Sequence, residues 1–565
     1  MSNRHHRSCG IGTLKATALA AALLGMTGAA HAYKFETGGD WDVNLDTSVQ
    51  YTGGWRAQKL NNYIGNHPFF AEGDYKFANQ GDMVTNRAQA LVELQGVYQG
   101  WTGFRLSGSA WKDFAYSDTV KTNPNPAFST FLSYPSGQYT GATKKYHIQG
   151  GELLDAFVFA NGKVGDTPVY GKFGRLTQFW GNAFFFGFSN IAYSQSPIDF
   201  IKGFSQPGSE VKELFLPRTQ ALVTAQLTPE LSVTGQYFLE FEPNRYPEGG
   251  TYLGSFDILY RGPQSGGALA GAFGGPVTAG RDDQPKNLNN NFGVKVAWSP
   301  EWAKGDLGFY YRQFDEVHPW ALADIGAAGG GAVHLSYAQK VKLLGMSYER
   351  TFGPISTGYE VSYRQNTALN SAFTNGIPGV PTTQGATGNL FNVVANALVQ
   401  LGTTPLWDTG TLIAELSYTN LLKVTGHPEL FNGVGHAACT TNNKWDGCAT
   451  KQALALAVLF EPQWLQVFPG WDMSAPLSYT IGLKGNPAYA AGGFYAQGTN
   501  IYSAGVKFTY KSNTTITLAY NGYYWHHGPT TNVPGLGTSY AGFGGNGPVS
   551  LNDRGWVSLT LKSSF

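Results

Sequence analysis

Apolar and polar residues alternate along much of this chain with a period of two, the signature of a strand with one greasy and one wet face. Trp41, Val43, Leu45, Thr47, Val49 and Tyr51 share one face, and Asp42, Asn44, Asp46, Ser48 and Gln50 the other. The pattern repeats at once: Ala88, Ala90, Val92, Leu94 and Tyr98 oppose Arg87, Gln89, Glu93 and Gln95. Across the Gln99-Gly100 turn, Phe104, Leu106 and Ala110 oppose Arg105, Ser107 and Ser109. Further strands are predicted at Leu231 to Phe241, Phe292 to Trp298, Leu307 to Phe314, Ile355 to Tyr363, Leu412 to Thr419, Leu477 to Leu483, Tyr502 to Tyr510 and Thr514 to Tyr523.

Short connections such as Leu227-Thr228-Pro229-Glu230, Phe352-Gly353-Pro354 and Lys511-Ser512-Asn513 alternate with long Gly-, Asn- and Pro-rich ones. The long ones are Pro243 to Asn290, Asn366 to Thr409 and Gly522 to Asp553. Short turns at one end and long loops at the other predict an all-β, transmembrane antiparallel barrel of about 16 strands, within a range of roughly 14 to 18. In the final stretch Val557, Leu559 and Leu561 share a face with Phe565, and Ser558, Thr560 and Lys562 take the other. A terminal aromatic on such a strand is the form of signal read by the barrel-assembly machinery, so Phe565 is the expected assembly signal.

Composition narrows the class. Charged residues make up only 13% of the chain, aromatics 14%, and the net charge is +1, so no single-sign field points to nucleic acid. The mean hydropathy of −0.21 is too polar for a bundle of membrane helices. At the start, Arg4, Arg7 and Lys15 precede an apolar run from Ala16 to Ala30, and Ala30-His31-Ala32 has the small-x-small form of a signal-peptidase site. Residues 1–32 are therefore expected to be a signal peptide cleaved after Ala32, leaving 33–565 as an exported barrel in the bacterial outer membrane. Cys9 would leave with the signal. Cys439 and Cys448 are then the remaining cysteines in an oxidising compartment, and they are expected to pair across an exposed hairpin.

Two stretches lack the alternation. Gly53 to Asp82 is loop-like, and Phe179 to Glu213 is aromatic and then polar, including Phe184-Phe185-Phe186 and Pro197-Ile198-Asp199-Phe200. Non-strand segments of a barrel either cap it or fold inward, and inward folding is expected for residues 178–215. The charges there, Asp199, Lys202, Glu210, Lys212 and Glu213, can pair with polar groups on the wall. An external loop is the alternative. Charges whose strand neighbours face lipid must point into the lumen: Asp42, Asp46, Arg87, Glu93, Arg105, Glu240, Lys295, Arg312, Glu360, Arg364, Glu415, Lys507 and Lys562. Their mixed signs favour cross-strand bracing over an ion-selective ring. Aromatics at strand ends, among them Trp41, Tyr51, Trp101, Trp298 and Tyr523, read as interface girdles.

The sequence also resembles a proteobacterial outer-membrane family known as domain of unknown function 1302. The resemblance runs over the whole mature chain. It is carried by Tyr51-Thr-Gly-Gly-Trp-Arg56, Asn79-Gln-Gly-Asp82 with Val84-Thr-Asn86, Gly174-Arg175 with Phe179-Trp-Gly181, and Ser196-Pro-Ile-Asp199. Gln206-Pro-Gly-Ser-Glu-Val-Lys-Glu213, Phe468-Pro-Gly-Trp-Asp472 and Asn552-Asp-Arg554 complete it. Membership implies a barrel and suggests the handling of lipids, sterols or aromatics; it brings no catalytic or binding residues.

Little else points to chemistry. Eight histidines lie beyond residue 32, in loops or at strand ends, and the adjacent pair His526-His527 suits a metal only if the strand has ended. No nucleophile elbow, phosphate loop or zinc motif stands out. Neither a cofactor nor an enzymatic activity is expected. The expected function is passive passage or binding of hydrophobic small molecules along a path through Phe179, Trp180, Phe184, Phe185, Phe186 and Phe188. Arg175, Asp199, Lys202, Glu210, Lys212, Glu360 and Arg364 are the lumen and plug charges. The expected partners are the barrel-assembly machinery, outer-membrane lipid and lipopolysaccharide, and the hydrophobic cargo. A non-conducting scaffold barrel and, further off, a barrel-borne hydrolase are the rivals.

Overall fold

A computed structural model of the chain describes residues 33–35, 37–207, 209 and 211–565. The expected signal segment 1–32 with its expected cleavage site, Cys9 and Glu210 lie outside the described residues.

Among the described residues, eighteen antiparallel strand rows close on themselves. They are β1 Trp41–Arg56, β2 Met83–Tyr98, β3 Thr102–Asp113, β4 Gln149–Val164, β5 Thr167–Leu176, β6 Arg218–Thr228 and β7 Leu231–Phe238. Then come β8 Phe292–Trp298, β9 Asp306–Phe314, β10 Val341–Phe352, β11 Ile355–Ala368, β12 Thr387–Leu401, β13 Thr409–Gly426 and β14 Gln452–Phe468. Row β15 is split into Trp471–Ser474 and Leu477–Lys484, both paired with β14 and β16, because Pro476 has no N–H to give the ladder. The rest are β16 Asn500–Tyr510, β17 Thr514–Tyr524 and β18 Trp556–Ser564.

Closure is made by β18, which pairs with β17 on one side and with β1 on the other, from Ser48↔Ser564 to Arg56↔Trp556. Phe565 continues that ladder by exchanging backbone bonds with Thr47. A short strand, Tyr33–Phe35, pairs with Val43–Leu45 just below it and extends the same row. A closed ring leaves no sheet edge unpaired, which is what lets strands stand in hydrocarbon. Val92, Leu106, Val158, Phe173, Val223, Val294, Phe309, Leu344, Leu416, Val506 and Leu518 are exposed on the outside and form the apolar belt. The fold is thus a transmembrane β-barrel. No helix of the described residues is long and apolar enough to cross a membrane.

The strand number exceeds the expected sixteen because strands such as β12 hide in unpatterned sequence. The predicted long loop Asn366 to Thr409 contains the whole of β12, whose outward positions include Asn389 and Ala395 and so blur the alternation. The loop-like stretch from Gly53 likewise begins too early, since β1 runs on through Arg56. Tyr523 is no interface girdle residue: it is buried, stacks on Trp525 and accepts a hydrogen bond from Trp556 Nε1 at 3.2 Å.

The long loops at the end opposite the turns build a packed cap. It includes a three-stranded sheet of Val277–Asp282, Trp320–Ile325 and Gly331–Ser336, and a hairpin of Thr530–Val533 with Gly537–Tyr540. Cys439 and Cys448 are disulfide-bonded in the loop after β13, with Cα atoms 5.7 Å apart.

Candidate functional site: an inward segment beneath an apolar vestibule

The connection from β5 to β6, residues 177–217, does not stay with the cap; its backbone is held by side chains that point inward from the wall. Glu360 on β11 accepts from the N–H groups of Asn182, Ala183 (3.0 Å) and Ile191 (2.8 Å). Glu415 on β13 accepts from Phe184, Phe185 (2.8 Å) and Phe186 (2.8 Å). Two carboxyl groups thereby satisfy six backbone donors that would otherwise be left unpaired inside the barrel. Gly181 has φ +90°, and a Cβ there would lie 2.2 Å from Glu360 Oε1, so the close approach requires glycine.

Arginines hold the carbonyls of the same coil. Arg312 donates to Ile191 O at 2.8 Å and Tyr193 O at 2.7 Å, Arg218 to Ser194 O at 3.0 Å and Gln195 O at 2.9 Å, and Arg364 to Phe188 O at 2.8 Å. All three are buried. Arg364 also lies over the Tyr193 ring, 4.2 Å from its centroid.

The second half of the segment is tied down differently. Asp199 caps the short helix Phe200–Ser205 by accepting from Lys202 N at 3.0 Å. Lys202 Nζ reaches Glu152 on β4 at 2.6 Å, and Arg245 bridges Glu152, Asp199 (3.4 Å) and Glu242 (3.1 Å). Beyond it, Lys212 pairs with Glu93 on β2, which also pairs with Arg105, and Arg105 reaches Asp155 at 3.1 Å. Gln89 donates to Glu213. Arg175 stands apart at the end of β5, paired with Glu240.

The aromatic residues separate into two groups. Phe184 is exposed to lumen water, as is Phe179, whose ring meets Phe215 edge-on at 4.4 Å. Phe185 is partly buried, whereas Trp180, Phe186 and Phe188 are buried. Phe188 joins a stack of near-parallel rings. It stands 5.9 Å from Phe200 at an interplanar angle of 4°, Phe200 stands 4.9 Å from Tyr246 at 14°, and Tyr246 stands 5.0 Å from Tyr260 at 13°. Phe494 lies parallel beside Phe200 and Tyr246. The stack runs from the inward segment up into the cap.

There it meets a cavity of about 640 Å³ between the loops. Tyr260 and Phe494 line it together with Phe256, Leu259, Phe373 and Phe543. This size is within the roughly 300–1,000 Å³ of small-molecule sites. His318 also lines it; burial pushes the imidazole down to about 3, so it is neutral at physiological pH, and its Nδ1 is hydrogen-bonded to Tyr246 at 2.5 Å. The vestibule residues were not singled out from the sequence. The only signal was the cluster Phe256, Ile258, Leu259 and Tyr260 inside a loop otherwise rich in glycine and proline; Phe494 carried none.

Of the described histidines, His334 is buried between Asp283 and Asp324, at 2.8 and 3.4 Å. The strand ends at Tyr524, and His526 and His527 then pack on Trp445 and Tyr540. Among the described residues no group of three or more His, Cys, Asp or Glu is placed to hold a metal ion.

A closed barrel with an inward segment and a roofed vestibule defines the class of protein by form. The chain belongs to the DUF1302 family, described as a protein of unknown function, which matches residues 13–565. No curated protein matches the sequence. Among solved structures, the chain is similar to a BenF-like porin from Pseudomonas fluorescens Pf-5, with 9% identity, a TM-score of 0.40, and 93% of this chain and 98% of that one covered. It is also similar to OccAB1 of Acinetobacter baumannii, with 8% identity, a TM-score of 0.40 and coverage of 95% and 99%. OpdK of Pseudomonas aeruginosa with vanillate gives 8% identity, a TM-score of 0.39 and coverage of 92% and 98%. Likeness at this level says nothing of cargo, which this chain's own residues must decide.

Proposed function

We propose that this protein is an outer-membrane channel that takes hydrophobic small molecules from the vestibule, along the ring stack, into the lumen. The observation that carries the reading is the continuity between the apolar cavity and the stack Tyr260, Tyr246, Phe200, Phe188, which ends on the inward segment. Apolar solutes gain free energy by leaving water for such a surface, at about 25 cal/mol per Å² buried. Movement is passive, and the coil Trp180–Gln195, hung from Glu360 and Glu415, is the element whose displacement opens the way.

Uptake tests this directly. A strain lacking the gene is expected to take up a labelled aromatic hydrocarbon, sterol or fatty acid several-fold more slowly, and Phe200→Ala with Phe494→Ala is expected to reproduce part of the loss. Unchanged uptake of all three would refute the reading.

A further inference from the structure

The vestibule is not uniformly apolar, and its polar side has a definite character. Phe543 contacts Phe256 at 5.8 Å and Phe373 at 6.4 Å between centroids, and these rings form the apolar wall. The disulfide-bonded loop contributes Thr441 and Asp446, the loop after β11 contributes Asn370, and the loop before β18, which also carries Phe543, contributes Asn546. Oδ1 of Asp446 lies 3.6 Å from where a Cβ at Gly528 would stand.

Asn546 is the most telling of these. The side chain is 1% exposed, and its Nδ2 donates to Gln497 O at 2.7 Å, which sets the orientation of the amide. Its Oδ1 is buried and left without a partner, and the residue borders the cavity. A buried carbonyl oxygen with no donor is left less stable than a paired one. A ligand group that donates a hydrogen bond there would recover that stability on binding. Charge narrows the ligand further. Among the described residues, the cavity is lined by one formal charge, the carboxylate of Asp446, and by no lysine or arginine. With His318 neutral, nothing there compensates an anion.

Resting on the proposed uptake of hydrophobic compounds, we infer that the vestibule selects uncharged amphiphiles: an apolar ring system with one hydrogen-bond-donating head such as a hydroxyl. The head donates to Asn546 Oδ1 while the rings lie against Phe256, Phe373 and Phe543. Carboxylated relatives of the same ring system are refused, because Asp446 repels them and they carry no proton for Asn546.

The experiment uses the full-length protein in lipid nanodiscs at pH 7, with empty nanodiscs as the partition reference, and three probes of one ring system: naphthol, methoxynaphthalene and naphthoate. Equilibrium dialysis is expected to give saturable naphthol binding about tenfold tighter than methoxynaphthalene, with naphthoate the weakest. Asn546→Leu is expected to bring naphthol to within about twofold of the ether, whereas Asn546→Asp, which keeps an acceptor, retains a preference for naphthol. Equal binding of naphthol and ether by the wild type, or tightest binding of naphthoate, overturns the inference while leaving hydrophobic uptake standing. A naphthol preference that survives Asn546→Leu overturns the assignment to Asn546. Absence of saturable binding for all three overturns both. The wild-type ranking decides the matter even where Asn546→Leu does not assemble.

Discussion

The two halves of the inward segment are held by opposite means. In Trp180–Gln195 the wall supplies the charges and the segment supplies backbone: Glu360 and Glu415 take its N–H groups, and Arg218, Arg312 and Arg364 take its carbonyls. In Asp199–Leu214 the charged contacts join side chain to side chain, Lys202, Lys212 and Asp199 answering Glu152, Glu93 and Arg245, beside one backbone bond from Phe200 N to Arg245 O. Backbone groups are the same in every residue, so exposed positions of the first half such as Phe184 can change while the wall still sets the course of the coil. The second half keeps its place only as long as its own charges are kept. The first half therefore suits the cargo-facing role, and the second the role of an anchor.

The strongest way to break this contrast is to remove both wall carboxylates. Glu360→Ala with Glu415→Ala strands six backbone donors, at about 1–3 kcal/mol for each that stays buried and unpaired. Single-channel recordings are expected to show conductance rising several-fold, with Asp199–Leu214 keeping its hydrogen-exchange protection. Loss of protection in both halves would mean that they move as one body.

Glu152→Ala attacks the other half by leaving Lys202 and Arg245 facing each other without their shared carboxylate. Both cations are nearly buried, with side-chain exposures of 2% and 7%, so a cost of about 3 kcal/mol is expected. Exchange should quicken in Phe200–Leu214, and conductance should change far less than in the double carboxylate variant.

A pH titration sharpens the comparison from outside, because two carboxyls raised by burial, Asp257 and Glu72, belong to the cap. Burial raises Asp257, whose carboxylate accepts from Glu72 N at 2.8 Å and Gly73 N at 3.0 Å; burial, and then Asp257 itself, raises Glu72. A carboxyl raised above its unfolded value near 4 binds more protons folded than unfolded. Its contribution is full below pH ~4 and falls away as pH rises through the folded value. Limited proteolysis of the cap is expected to be slower at pH 5 than at pH 8, with conductance through the wall-held coil unchanged.

The smallest effect is expected from Lys212→Ala. Its side chain is 35% exposed, and such a pair is worth about 0–1 kcal/mol, falling with salt. Exchange at Val211–Leu214 should rise slightly in the variant, and in the wild type at high salt, with no response in Trp180–Gln195.

The alternation of residues by itself determined the barrel. A period of two places Glu93, Arg105, Glu360 and Glu415 inward and Val92, Leu106 and Leu416 outward whatever the rest of the chain does, because successive side chains of a strand must point to opposite faces. It failed at β12, where outward asparagine and alanine erase the contrast, and so undercounted the wall. It marked 178–215 as irregular, but not what such a segment would touch. Only the tertiary structure decided that Glu360 and Glu415 meet backbone 169 to 231 residues away, or that Phe188, Tyr246 and Phe494, far apart in the chain, stack in one line. Aperiodic loops carry no repeating pattern, and their partners are set by closure of the ring, which local sequence does not record.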